Sequence, residues 1–209
     1  AKMAASGNED YREMMKAMEE RHFATIRGLI GAKNQSGVFT GIKILFNDLE
    51  DILRGISLIR ELTPRTLDLV MSFGERLSTT IITEALRFRN IKAEYCDARS
   101  IIRTNNVYGN AEVIFDTTNQ LIQEKFASTD ATLCITGFIG ATPEGITTTL
   151  GRGGSDFTAS IIGAALDVDL IEIWTDVDGI MTADPRKVPN SFTIPTLSYA
   201  EAMELSHFG

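Results

Sequence analysis

ATLCITGFIGATPEGITTTLGRGGSDFTASIIGAAL, residues 131–166, is the stretch whose reading decides the fold. It opens on an apolar, strand-like run, passes through a connection rich in Gly and Thr, and closes on SDFTASIIGAAL, whose small and apolar residues suit a helix. Working outward, IKAEYCDA (91–98), AEVIFD (111–116) and DLIEIWTDV (169–177) read as further strands, and TTNQLIQEKF (117–126) as a helix between them. Strands that alternate with helices predict an α/β domain with a mainly parallel sheet covered on both faces. Ligands of such sheets bind beyond the carboxyl ends of the strands. The chemistry is therefore expected in the loops after Ile135, after Trp174 and around Gly151.

Upstream the period changes. Ser6 and Glu9 stand at capping-box spacing, and Tyr11, Met14, Met15 and Met18 follow at helical intervals, predicting a helix over about 8–29. Ile42, Leu45, Leu49, Ile52, Leu53, Ile56 and Ile59 repeat at three and four, and this second helix is expected to end at Thr63-Pro64. From there Leu67, Val70, Met71, Leu77, Ile81, Ala85 and Leu86 share one face of a third helix with Gly74 in its middle. A mid-helix glycine costs about 1 kcal/mol relative to alanine, and close approach of a backbone or ligand is the expected compensation. Ser72, Glu75 and Thr79 form a polar flank beside it, from which Glu75 either enters a cleft or is simply solvated.

Composition narrows the function. The 209 residues are 44% hydrophobic and 23% charged, as in an ordinary globular domain. A net charge of −8, with no run of Lys and Arg, argues against nucleic-acid binding, while leaving room for a local pocket for one nucleotide. Cys96 and Cys134 lie far apart in apolar runs and read as buried free thiols in a reducing compartment. With no signal peptide and no apolar run of the ~20 residues that span a bilayer, the expectation is a cytoplasmic protein with no membrane partner. The opening AKMAASGNED lacks an initiator Met and the chain stops at SHFG, so it reads as a segment of a longer protein.

Two loops collect candidate binding groups. GFIGATPEGITTTLGRGGSD (137–156) has glycines that let backbone amides approach an anion, ahead of a helix expected to start near Ser155 or Asp156. Its spacing matches neither GxxxxGK(S/T) nor GxGxxG, and a plain turn with Asp156 as helix cap explains it as well. WTDVDGIMTADPRKVP (174–189) places three acids and an arginine at the end of an apolar strand. It lacks the spacing of a calcium loop, and reads either as a nucleotide site or as a structural double turn.

Taken in order and at these separations, SFGERLS (72–78), GFIG with LGRGGSD (137–140 and 150–156), and WTDVDGIMTADPR (174–186) closely resemble the aspartokinases of the amino acid kinase family. The tail SYAEAMELSHFG is similar to the type fused to homoserine dehydrogenase. The resemblance covers 63–209 as kinase core, and 1–62 loosely resembles the family's variable helical insert, within one truncated domain. It implies a three-layer α/β/α sandwich lacking its N-terminal strand or strands.

It also implies ATP-dependent phosphorylation of the side-chain carboxylate of L-aspartate, with ATP and Mg2+ as cofactors. This is the first step toward lysine, threonine and methionine. Among the residues, Glu75, Arg152, Ser155 and Phe138 would bind aspartate, and Asp156 would sit on the phosphoryl path. Thr175, Asp176, Met181, Asp184 and Arg186 would hold the nucleotide, Met181 replacing a frequent Tyr; no residue is assigned as a metal ligand. The family's KFGGTS loop is missing, so the segment alone is expected to be inactive, and the full-length protein a homo-oligomer. The alternatives are a sister kinase for glutamate, acetylglutamate or a nucleoside monophosphate, and a non-catalytic nucleotide-binding module.

Overall fold

The structure is a computed structural model and describes residues 1–175 and 178–208. The chain divides into two compact units, Ala1–Ile171 and Glu172–Gly209.

The first unit opens with helices. After the short α1 (Lys2–Ala5) come α2 (Tyr11–Leu29), α3 (Gln35–Ile59) and α4 (Pro64–Phe88). The expected box at Ser6 and Glu9 does not form. Ser6 caps the end of α1 and donates to the Met3 carbonyl, while Glu9 pairs with Arg12, so α2 begins without a side-chain cap. Helix α3 stops at Ile59 because Arg60 takes left-handed geometry. Thr63 then caps α4 by accepting from the Thr66 N–H at 3.1 Å, with Pro64 where its missing N–H costs nothing. Ile26, Ile42, Phe46, Leu53, Phe73 and Leu77 anchor the core that these four helices share.

Gly74 lies within α4 as expected, but the predicted close approach is absent: nothing lies within 4 Å of where its Cβ would be. It lines an apolar cavity of 310 Å³ together with Met14, Met15, Met18 and Leu77.

Helix α4 connects the two halves of the unit, packing on α3 and also on β1 (Ala93–Cys96), β2 (Thr132–Ile135) and β4 (Thr147–Thr149). After α5 (Phe115–Ala127), β2 (Thr132–Ile135) pairs in parallel with β1, Tyr95 opposite Cys134. A hairpin follows, β3 (Ile139–Ala141) antiparallel to β4 (Thr147–Thr149), then α6 (Gly154–Leu166). A second core joins the strands to α5 and α6 through Ile102, Ile122, Ile139, Leu150 and Ile161. The fold is thus α/β with a parallel pair, as the alternation of elements predicts.

Three expectations differ. AEVIFD is not a strand: Val113 makes only one bridge, to Thr104, and Ile114 receives the first helical bond of α5 from the Thr118 N–H. Helix α6 starts at Gly154, one residue early, because Gly153 at φ +71° supplies the left-handed entry. In DLIEIWTDV no strand forms over 169–175, and Asp176 and Val177 lie outside the described residues. A strand needs a neighbouring strand to pair with, and residues 169–174 have none among the described residues, Leu170 and Trp174 being largely exposed.

In the second unit, Ile180, Thr182, Phe192 and Ile194 exchange backbone hydrogen bonds that bring Met181 opposite Thr193. Helix α7 (Tyr199–Phe208) starts with a capping box. Ser198 Oγ accepts from the Glu201 N–H at 3.3 Å, and Glu201 Oε2 accepts from the Ser198 N–H at 2.8 Å.

Candidate active site

A cleft of 570 Å³ runs between α4, β2 and the length of α6. Leu133, Ile135 and Ile162 form apolar wall, while Glu75, Ser155 and Gly137 form its polar part. The sequence places Glu75 there because Phe73 and Leu77, on either side of it, are buried in the helical core and turn the intervening polar flank outward. Of that flank, Glu75 and Thr79 reach the cleft, whereas Ser72 is buried and donates to the Leu69 carbonyl.

Glu75 is held from two sides. Ser155 Oγ donates to Glu75 Oε1 at 3.4 Å, and the Gly137 backbone N–H donates to the same side chain. Burial raises the Glu75 carboxyl above the usual carboxylate range, and those two donors only partly offset it. A partly desolvated acid with no cation beside it among the described residues suits an ammonium group, which would restore the charge balance. Gly137 is needed for this contact, since a Cβ there would meet Ser155 Cβ and Oγ at 3.0 Å.

The turn between β2 and β3 is strained. Phe138 sits at φ +67° and the Ile139 N–H donates to the Gly137 carbonyl at 2.7 Å around it, a tight γ-type turn that is rare for a residue with a side chain. Such a conformation costs about 1–3 kcal/mol and persists only where neighbours over-determine it. Here they do: the Phe138 N–H donates to Thr158 Oγ1 at 3.0 Å, the Phe138 carbonyl accepts from Leu150 at 2.9 Å, and Thr158 Oγ1 donates to the Gly154 carbonyl at 2.7 Å. A Cβ on Gly154 would meet the Phe138 ring at 2.8 Å. One knot therefore ties the end of β2, the end of β4 and the first turn of α6.

Arg152 and Asp156 flank that knot on the surface. Among the described residues, neither side chain has an ion pair or hydrogen bond, and neither they nor Phe138 line the cleft with Glu75. Gly151, at φ +80°, carries the chain into the loop, and a side chain there would collide with Asn110 Oδ1. A basic and an acidic group are thus presented freely at the N-terminus of α6, where the helix dipole favours anions.

The remaining sequence candidates lie in the second unit. Asp184 takes Arg186 in a two-pronged ion pair, both contacts at 3.0 Å, and this partner holds the Asp184 carboxyl below its usual range. Met181 is in the bridge to Thr193, and Asp176 lies outside the described residues. Sequence reasoning missed Asp68 and the Thr147–Thr149 strand. Asp68 is almost fully buried and bonds to Thr149, and its position two turns before Glu75 on one helix face was the available signal.

The Amino acid kinase family profile matches residues 10–209, and the chain belongs to that family. Within it, the chain is similar to aspartokinases. The chain is 33% identical to the chloroplastic bifunctional aspartokinase/homoserine dehydrogenase 2 of Arabidopsis thaliana, over 99% of this chain and 23% of that protein. It is 38% identical to the lysine-sensitive aspartokinase 3 of Escherichia coli, over 79% of this chain and 38% of that protein. In structure it superposes on E. coli aspartokinase III in complex with aspartate and ADP with a TM-score of 0.89. That match is at 33% identity and covers 96% of this chain and 44% of the other. The chain thus spans about a quarter to two fifths of these curated relatives. Among the described residues no helix is long and apolar enough to cross a membrane, and no three His, Cys, Asp or Glu side chains gather as a metal site.

Proposed function

We propose that the protein of which this chain forms the catalytic part is an aspartate kinase, transferring the γ-phosphoryl group of ATP to the side-chain carboxylate of L-aspartate. The observation that carries the reading is Glu75, partly buried beside Ser155 in a largely apolar cleft, in a fold whose structural neighbour is a complex with aspartate and ADP. Glu75 would take the substrate ammonium. The guanidinium of Arg152, free of internal partners, would take a substrate carboxylate in two-pronged fashion, with Ser155 and the strained Phe138 backbone bordering the site. Thr175, Asp176, Asp184 and Arg186 would hold the nucleotide, with Met181 packed against it. We assign residues 1–62 to a helical insert and 63–209 to the kinase core.

In the reaction a substrate carboxylate oxygen forms a bond to the γ-phosphorus as the bond to the β,γ-bridging oxygen breaks, releasing ADP. The nucleophile is already ionised at neutral pH, so positioning and charge neutralisation carry the rate rather than a general base. Asp156 would orient the transferring group from the first turn of α6. Magnesium fits as companion of the nucleotide: with no cluster of three protein ligands among the described residues, phosphate oxygens would supply most of its coordination, and Asp156 has a carboxylate to spare. When bound it would neutralise charge on the phosphate oxygens. The protein is expected to act in the cytoplasm, as a homo-oligomer at full length.

Acceptor screening tests this. The full-length protein, given ATP and in turn aspartate, glutamate, N-acetylglutamate and uridine monophosphate, should release ADP with aspartate alone; a different preferred acceptor contradicts the assignment.

A further inference from the structure

Asp68 is 1% exposed, and among the described residues the three hydrogen bonds to it come from neutral groups. Its Oδ2 accepts from the Gly109 N–H at 2.9 Å and the Thr149 N–H at 3.0 Å, and its Oδ1 accepts from Thr149 Oγ1 at 2.8 Å. A buried acid without a cationic partner is expensive, and a pair of apolar residues would serve stability alone at least as well. Its placement has a consequence for the site. Asp68 lies seven residues before Glu75 on α4, two helical turns, and hence on nearly the same face. Thr149 ends β4, two residues before Gly151 and three before Arg152.

We propose that Asp68 is a positioning residue of the acceptor site, fixing the loop that carries Arg152 and Ser155 in register with the face of α4 that carries Glu75. This rests on the reading of that site as an aspartate site. The clamp is two-sided. The Gly109 turn held by Asp68 brings Asn110 against Gly151, and the Ala111 N–H donates back to the Thr149 carbonyl at 2.9 Å. The entry to the Arg152 loop is thus enclosed between α4 and the 109–111 turn. Without Asp68 the Thr149 N–H is a buried donor lacking an acceptor and the 109–111 turn loses its tie to α4, which drives the loop to re-pair elsewhere.

Separate aspartate and ATP requirements in the full-length protein test the role. Asp68→Ala should raise the aspartate KM by about tenfold or more while the ATP KM changes less than about threefold, since tenfold corresponds to about one lost hydrogen bond. Asp68→Asn should restore most of the affinity: its amide oxygen can accept from both N–H groups and its NH2 can donate to Thr149 Oγ1. A merely structural role predicts a lower melting temperature with both KM values unchanged, and that result overturns the proposal, as does a parallel rise in both. If Asp68→Ala does not fold, Thr149→Val removes only the hydroxyl arm and should raise the aspartate KM about threefold with the ATP KM constant; no change there overturns it too. An unsubstituted protein with no aspartate-dependent turnover overturns the substrate reading and this assignment with it, whereas normal turnover that ignores these substitutions overturns the assignment alone.

Discussion

Glu75 carries the most specific chemistry at the scale of single residues. Because burial raises its carboxyl, the folded protein holds that proton more tightly than the unfolded chain does. Its contribution to stability is therefore lost as pH rises from the ordinary carboxylate range through the raised value. Glu75→Gln should melt higher than the unsubstituted protein at neutral pH in the absence of substrate, with the gain shrinking as pH falls through that window, read by thermal denaturation. The same substitution should weaken aspartate binding by about 10- to 100-fold, as expected for losing about 1.5–3 kcal/mol of charge-assisted hydrogen bonding. ATP binding should be nearly unaffected. Asp97, in the loop after β1, behaves with the opposite sign. Burial works against its ionisation, but hydrogen bonds and charge from Arg99, helped by Arg76, outweigh burial and bring it below its usual value. Stability from that pair is present above the ordinary aspartate value and is lost as pH falls through the lowered one. Asp97→Asn should flatten the acid limb of the stability profile.

At the scale of elements, α4 does most to position the site, and its single residues can be weighed. Gly74→Ala should stabilise by about 0.5–1 kcal/mol, because the added methyl meets open cavity and the helix loses a flexible residue. Thr63→Ala, which removes the cap, should cost about 1 kcal/mol, both measured by denaturant unfolding. Elements with strong periodicity are legible in the sequence: α3, α4, β1 and β2 form where the patterns of residues 42–59, 67–86, 91–98 and 131–135 place them, and α6 forms over the 155–166 pattern with its start one residue early. Where local pattern failed, tertiary partners made the difference. AEVIFD has strand-like residues, yet Ile114 begins a helix and Val113 finds only one bridging neighbour. Thr147–Thr149 looks like polar loop, yet all three threonines are buried in the hairpin, where β-branched residues fit a pleated surface. Asp68 is hidden for a related reason. An acid beside apolar helix positions reads as solvated until Thr149, 81 residues away, brings it its donors.

For the whole molecule, the half of the site that the sequence signals most clearly is built within the first unit, with Glu75 and Ser155 in contact across 80 residues of chain. The loop groups Arg152 and Asp156 are legible as candidates, but only the fold shows that the knot at Phe138 and Thr158 holds the loop that presents them. Thr158→Val should loosen that knot, lowering stability by about 1–3 kcal/mol by leaving the Phe138 N–H unpaired, as read by urea denaturation. The central claim, that the Glu75 cleft delivers the aspartate side chain to the phosphoryl donor, predicts an acyl phosphate as product. Trapping with hydroxylamine in the presence of ATP and L-aspartate reads it directly. The full-length protein should yield aspartyl hydroxamate, and Glu75→Gln should yield it only at much higher aspartate concentration. ATP consumption without hydroxamate, or hydroxamate formation indifferent to Glu75→Gln, would contradict the account.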